Sequence, residues 1–115
     1  MVDRRNVALG RLGESQAAAH YRAEGYAVLA QNWRCPAGEI DLICARGRTL
    51  VICEVKARSR TATGHPLEAV TRAKQMRLRR VAAAYLAGQT ASWEEIRFDV
   101  AAVLGGTLHV VEDAF

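Results

Sequence analysis

The chain of 115 residues carries a formal net charge of +4, and 50% of its residues are hydrophobic. This length suits a single domain over residues 1–115, and this composition excludes a chain that is disordered throughout. The apolar runs fall well short of the roughly 18 residues that cross a membrane, so we expect no membrane partner and a cytoplasmic location. The mild positive charge is compatible with a polyanionic partner, and the cysteines form no C-x-x-C pair that would indicate zinc.

Hydrophobic periodicity and turn residues predict an alternation of helices and strands. The first helix is expected to end at Gly25 and to bury a stripe that includes Leu9 and Leu12. The second is expected to begin at Pro66, a good first helical residue, and to end at Gly88. In chain order, the predicted elements are a helix over 4–24, strands over 26–33, 39–45 and 49–57, an exposed loop over 58–65, a helix over 66–87, and strands over 95–104 and 107–111. This order predicts an α/β fold, a mixed central sheet of about five strands flanked by helices.

The two central strands are predicted to form a tight hairpin around a two-residue turn at 47–48, because glycine stands first in that turn. In this register Asp41 faces Glu54 and Glu39 faces Lys56, so that four ionisable side chains share one face. The opposite face of the first strand is predicted to carry Ile40, Leu42 and Cys44. Asp99, in a later apolar strand, is expected to be a structural acid rather than a ligand.

This cluster of charges on an otherwise apolar hairpin needs a physical reason. Like charges at Asp41 and Glu54 repel, so one of them takes up a proton or a cation lies between them. Oxygen ligands favour Mg²⁺ or Mn²⁺, and Lys56 differs from the arginines that dominate this chain because a lysine is able to give up its proton. The alternative is a purely structural network in which Glu39 pairs with Lys56 and another cation compensates the remaining acids.

An ordered series of short motifs extends over nearly the whole chain, from about residue 10 to 111. The motifs are Gly10-x-x-Gly13-Glu14-x-x-Ala17, Gly25-Tyr26, Asn32-Trp33-Arg34, Gly38-Glu39-Ile40-Asp41-Leu42-Ile43, Glu54-Val55-Lys56-Ala57-Arg58, Ala69-Val70-Thr71, Lys74-Gln75 and Arg97-Phe98-Asp99-Val100. Asp41 followed by Glu54-x-Lys56 resembles the core of the PD-(D/E)xK nuclease superfamily. The full series is more closely similar to the YraN-type family of predicted endonucleases, which is related to archaeal Holliday-junction resolvases.

The resemblance implies a restriction-endonuclease-like core and a role for each matching residue. Asp41 and Glu54 would hold Mg²⁺ or Mn²⁺, with the carbonyl of Val55 as a third ligand, and Lys56 would be the catalytic lysine. The supporting residues would be Glu14, which assists the metal or its water, Gln75, which supports the site, Glu39 and Lys74 as additional members, and Arg58 and Arg60 as contacts to nucleic acid. Further arginines of the second helix, Arg77 among them, are candidates for lining a groove.

The function implied is metal-dependent endonucleolytic hydrolysis of DNA phosphodiester bonds, with branched or structured DNA among the expected substrates. Symmetric cleavage of a junction would require two sites, so a homodimer is part of this expectation. Two alternatives remain open. One is a module with the nuclease fold that binds nucleic acid without cleaving it, and the other is an interaction protein with no nucleic-acid partner.

Overall fold

The computed structural model describes residues 4–58 and 70–115, and within them the chain forms two helices and five strands in the predicted order. The elements are α1 (Arg4–Ala23), β1 (Ala27–Cys35), β2 (Gly38–Arg46), β3 (Thr49–Arg58), α2 (Arg72–Ala87), β4 (Glu95–Leu104) and β5 (Thr107–Val111). The predicted loop over 58–65 falls, from residue 59 onward, outside the described residues. Neither described helix combines the length and the apolar character needed to cross a membrane.

The five strands form one mixed sheet in the order β1-β2-β3-β4-β5. β3 and β4 run parallel, whereas the other neighbouring strands are antiparallel. The hairpin of β2 and β3 has the predicted register from Leu42–Cys53 to Arg46–Thr49, and Gly47 adopts a left-handed φ of 59° in its turn. The α/β prediction is therefore confirmed, with the two helices on opposite faces of the sheet.

Helix α1 approaches the sheet through small side chains. Gly13, Ala17 and Tyr21, spaced four residues apart, are buried on this face, whereas Leu12 is 53% exposed. A Cβ on Gly13 would lie 3.2 Å from the Cβ of Ala57 in β3, so glycine permits this close contact. The predicted stripe through Leu12 is therefore wrong by one position. The prediction counted large apolar residues, and it therefore missed a helix face that packs closely against the sheet through small residues.

Helix α2 begins at Arg72, not at the predicted Pro66. Thr71 is its N-cap, with an extended backbone and a side-chain oxygen that accepts a hydrogen bond from the Lys74 N–H at 3.2 Å. The residue before the cap, Val70, is buried outside the helix, and residues 66–69 lie outside the described part of the chain. The N-cap threonine was available in the sequence as a helix-start signal and is the stronger one here.

The alternation of side chains along β2 reverses at Asp41. Leu42 packs into the core under α1, and Ile43 packs under α2, as alternation requires. Ile40, however, also packs under α2, beside Trp33 of β1, whose ring contacts Tyr85 edge-on at 5.2 Å. The prediction that Ile40 shares a face with Leu42 is therefore wrong, because it assumed an uninterrupted pleat through Asp41.

Candidate functional site

Pairing between β2 and β3 ends next to Asp41, and the Asp41 side chain replaces the missing ladder bond. The last paired residues are Leu42 and Cys53. One step further, an uninterrupted ladder would bond the N–H of Val55 to the carbonyl of Ile40. That N–H instead donates to Asp41 Oδ2 at 2.9 Å. The aspartate is thus fixed at the point where the two strands separate.

The carboxyl groups of Asp41 and Glu54 are close neighbours at this point, and they cannot both carry full charge at low cost. Burial raises the pKa of Asp41 from its ordinary value of 3.8 to about 7, and a hydrogen bond with Glu54 together with the charge of Glu54 adds to the rise. The Val55 N–H and the ammonium of Lys74 act in the opposite direction. Glu54 is only 7% exposed. The paired carboxylates expected from the hairpin register are therefore brought together.

Two ammonium groups lie beside the carboxyl pair. Lys74 Nζ is 3.6 Å from Glu54 Oε1, so this lysine points into the site rather than into solvent. Burial lowers the pKa of Lys56, the neighbouring ammonium of Lys74 lowers it further, and the charge of Glu54 opposes the fall. Both lysines of the chain thus converge on the same two acids, one from β3 and one from α2.

A cavity of about 230 Å³ opens between β2, β3 and α2 at this cluster. Its lining includes the acids Glu39, Asp41 and Glu54, the cations Lys74 and Arg77, and Gly38. A Cβ on Gly38 would lie 3.1 Å from Val81 Cγ2, and this glycine has a left-handed φ of 145°, so a side chain here would push α2 away. The cavity therefore depends on a glycine at the start of β2.

Arg77 is a lining residue that the sequence indicated only as one of several groove arginines. It stands three positions after Lys74 and four before Val81, which places all three on the same side of α2. Its aliphatic carbons pack near Gly38, with Cδ 3.5 Å from a Cβ placed there. The helical spacing between Lys74 and Arg77 was the signal that would have identified Arg77 among the arginines of this helix.

Glu39 is paired differently from the sequence expectation. Its carboxylate contacts Arg34 Nε at 3.2 Å, across the β1–β2 ladder, and this replaces the proposed pair with Lys56. Glu39 does not pair with Lys56 because the β2–β3 ladder ends at Leu42, and beyond that point the strands no longer bring residues 39 and 56 face to face. Glu39 still lines the cavity, so it remains close to the carboxyl pair without being neutralised by Lys56.

Two supporting residues of the sequence prediction occupy positions next to the site. Glu14 Oε2 accepts a hydrogen bond from Asn32 Nδ2 at 3.0 Å, and Asn32 lies across the β1–β2 ladder from Asp41. Gln75 Nε2 donates to the carbonyl of Val70 at 3.1 Å, which fixes the turn before α2. Neither contact joins these side chains directly to the carboxyl pair. Arg60 and the side chain of Arg58 lie outside the described residues.

Asp99 has the structural role predicted for it. It is fully buried, and its carboxylate accepts hydrogen bonds from Tyr21 at 2.5 Å, from Arg97 at 2.9 and 3.0 Å, and from the N–H of Asp113 at 3.0 Å. Burial raises the pKa of Tyr21, and the charge of Asp99 keeps its proton in place. A carboxylate with this many donors is satisfied by the protein itself, so it offers no free oxygen to a ligand.

The donor set beside Asp41 fits a hard divalent cation. Among the described residues no group of three His, Cys, Asp or Glu side chains is close enough to hold a metal ion, so the carboxylates that a cation would meet here are the pair of Asp41 and Glu54. The N–H and C=O of one strand residue face the same neighbouring strand, so the Val55 carbonyl points into the gap beside Asp41. Two carboxylates, one carbonyl and waters are a ligand set that Mg²⁺ accepts.

Comparison with known proteins places the whole cluster within a family. The model of the uncharacterised protein family UPF0102 matches residues 13–103. The chain belongs to the UPF0102 family. A UPF0102 protein of Beutenbergia cavernae is 55% identical, over 84% of this chain and 82% of the relative. Relatives in Acidothermus cellulolyticus (43% identical, 94% of this chain, 93% of the relative) and Moorella thermoacetica (46%, 82% and 78%) carry the same family name. This agrees with the family resemblance noted in the sequence, and the matched segment of the family includes every residue of the carboxylate and lysine cluster.

Proposed function

We propose that this protein is a metal-dependent nuclease that hydrolyses phosphodiester bonds, with DNA as its substrate. The observation that carries the proposal is the carboxyl pair of Asp41 and Glu54 with Lys56 beside it, on a hairpin whose ladder opens at that point. The proposal places this family member with the PD-(D/E)xK nucleases, whose motif the same three residues resemble. A structural network explains the pair less well, because the pKa of Asp41 is still raised although Lys74 Nζ lies 3.6 Å from Glu54.

In this proposal the metal site consists of oxygen donors from β2 and β3. Asp41, Glu54 and the Val55 carbonyl would hold Mg²⁺ or Mn²⁺, which, when bound, polarises the phosphoryl group and lowers the pKa of a bound water. Asp41 is held for this role by its hydrogen bond from the Val55 N–H. Glu54 is held in the buried strand β3, where little movement is possible.

Lys56 lies two residues after Glu54 on the same face of β3, so its ammonium reaches the same space as the carboxyl pair. In the proposed reaction it orients the attacking water or stabilises charge on the phosphate. A lysine serves either role, whereas an arginine keeps its proton and only serves the second. Lysine at this position, in a chain with two lysines among 16 basic residues, agrees with that requirement.

The substrate would enter through the cavity between the hairpin and α2. Lys74 and Arg77 lie on its α2 side, and they supply positive charge to phosphate oxygens opposite the carboxyl pair. Phosphate contacts of this kind position a nucleic acid without reading its sequence. The cavity therefore supports backbone recognition, and a preference for branched DNA or a homodimer stays a prediction from the sequence.

The direct test is cleavage of a substrate panel by the full chain. Supercoiled, linear and four-way-junction DNA, together with RNA of matching sequence, would be incubated with Mg²⁺, with Mn²⁺ or with EDTA. We expect cleavage only with a divalent ion, and a loss of about 100-fold or more in rate for Glu54→Gln and Lys56→Ala.

A matched control is a surface glutamate that takes no part in the carboxylate and lysine cluster. Glu94 forms a surface ion pair with Arg48 at 3.4 Å, so Glu94→Gln makes the same chemical change away from the cluster and should cleave like the parent. If no substrate is cut under any condition while salt-dependent binding to DNA persists, the protein is a binding module. If Lys56→Ala cleaves at the parental rate, the proposed role of the cluster is wrong.

A further inference from the structure

Asn32 is the residue at which β1 departs from regular strand geometry. Among the non-glycine residues that the structure describes, only Asn32 and Asp113 have positive φ, at 52° and 51°. Asparagine tolerates this left-handed region better than most residues, whereas β-branched residues are strongly disfavoured there. Backbone strain of this kind persists where the surrounding structure requires it, and it is often found at functional sites.

The irregularity of Asn32 lies directly across the ladder from Asp41. Gln31 pairs with Leu42 and Trp33 pairs with Ile40, so residues 32 and 41 occupy the same rung. A left-handed residue rotates the strand that follows it, and the next side chains leave on the other face. This is observed in both strands: Ala30 and Trp33, three residues apart, both pack under α2, and so do Ile43 and Ile40.

The two reversals have one backbone cause within this hairpin. Asp41 has no positive φ of its own, whereas Asn32 does, so the left-handed residue is in β1 and β2 follows it across the ladder. The Asn32 side chain is in turn held by α1, through its hydrogen bond to Glu14 Oε2 at 3.0 Å. The reversal takes Ile40 out of the alternating pleat and ends the β2–β3 ladder at Leu42, so that the Asp41 carboxylate accepts from the Val55 N–H in place of the Ile40 carbonyl.

We propose that Asn32 is a positioning residue of the carboxylate site: its left-handed backbone reverses the pleat of β1, and the matching reversal in β2 ends the ladder with β3 and leaves the Val55 N–H to Asp41. The effect of Asn32 on cleavage rests on the proposed nuclease function. Its effect on the position of Asp41 is independent of that function. The role is conformational, so a residue that accepts positive φ should preserve it and a residue that rejects positive φ should remove it.

The experiment compares Asn32→Gly with Asn32→Val in the full chain, by two measurements. The first is hydrogen exchange of the Val55 amide, which reports the bond to Asp41 without any metal. The second is calorimetric binding of Mn²⁺ alone. We expect Asn32→Val to lose protection of this amide and to bind Mn²⁺ about tenfold or more weakly. We expect Asn32→Gly to keep the protection and to bind Mn²⁺ within about threefold of the parent.

Asp113 provides a matched control, because it has the same left-handed φ at a place far along the chain from the hairpin. Asp113→Val should lower the stability of the fold through the same backbone penalty. It should leave the exchange protection of the Val55 amide and the affinity for Mn²⁺ unchanged. Asn32→Ala carries a smaller penalty than valine, so it gives the same comparison if Asn32→Val does not fold.

Four outcomes are distinguishable. Full protection of the Val55 amide in Asn32→Val would overturn the inference, and so would equal damage in Asn32→Gly, because the backbone would then not be the cause. Loss of protection in Asn32→Val alone supports it. If the parent binds no Mn²⁺ and cuts no DNA, the proposed function fails, and the Val55 amide still decides the role of Asn32.

Discussion

Replacing Asp41 with asparagine should make the metal-free protein more stable at alkaline pH. Asparagine has nearly the shape of aspartate, its oxygen still accepts the hydrogen bond from the Val55 N–H, and it carries no charge to oppose Glu54. The substitution therefore removes the electrostatic cost of the site and keeps its contacts. A conservative change at a proposed catalytic position would then stabilise the fold while it abolishes metal binding.

The magnitude follows from the pKa of Asp41, which rises from 3.8 to about 7 on folding. Between these values the folded state binds more protons than the unfolded state, so the free energy of unfolding falls as pH rises from about 4 to 7 and is flat above that. The full linkage corresponds to roughly 4 kcal/mol at a pH above both values. Because Asp41 lies at a cavity wall and is partly solvated, we expect about half, roughly 2 kcal/mol, in favour of Asp41→Asn at pH 8.

The assay is urea unfolding in EDTA at several pH values from 4 to 8, with the difference between variant and parent as the measured quantity. That difference cancels the contributions of groups that the substitution does not affect. It should be near zero at pH 4 and should grow to its full value by pH 8. Asp113→Asn is the control, because it makes the same substitution at an exposed residue and should show no such trend. A difference that stays flat with pH, or a variant less stable than the parent at pH 8, would refute the electrostatic reasoning.

Three further outcomes test other parts of the structure. Adding Mg²⁺ at pH 8 should raise the unfolding midpoint of the parent and leave that of Asp41→Asn unchanged, because only the parent offers both carboxylates. Arg77→Gln should reduce the salt dependence of DNA binding by about one phosphate contact, measured as the slope of log K against log salt, while the exposed Arg80→Gln should reduce it less. Tyr21→Phe should lower the free energy of unfolding by about 2 kcal/mol in a urea titration, since buried Asp99 loses a donor; an equal loss in Tyr85→Phe, whose hydroxyl has no hydrogen bond among the described residues, would contradict this.

The central hairpin was predictable because local signals and the pattern of charges agree on one register. Glycine at 47 accepts the left-handed turn, and the apolar pairs from Leu42–Cys53 to Ala45–Leu50 are then buried on the two faces, apart from the half-buried Ala45. A slip by one residue would have moved each of these side chains to the other face of the sheet and broken up the cluster of charges. The same register brought Asp41 and Glu54 together, so the carboxyl pair followed from the sequence once the turn was placed.

The limits of the sequence appear where side-chain size or backbone conformation decides the outcome. The close contact of α1 depends on Gly13 and Ala17, which carry little hydrophobic signal. The partner of Glu39 depends on where the β2–β3 ladder ends, and nothing in the alternating pattern marks that end. The left-handed backbone of Asn32 is equally unpredictable from the sequence, because asparagine is compatible with either sign of φ.

The partner of Glu39 and the backbone of Asn32 both belong to the local arrangement in which the β2–β3 ladder ends. If β2 kept its ladder with β3 through Ile40, the Val55 N–H would bond to the Ile40 carbonyl and the Asp41 carboxylate would lose this donor. A ladder closed in this way would leave no gap between the two strands at this point. Instead the strands part, Asp41 takes the place of the backbone acceptor, and the carbonyl of Val55 is left facing the same gap. A sheet that gives up one rung of pairing thus brings three oxygen-bearing groups to one point, where burial, together with the neighbouring Glu54, raises the pKa of Asp41.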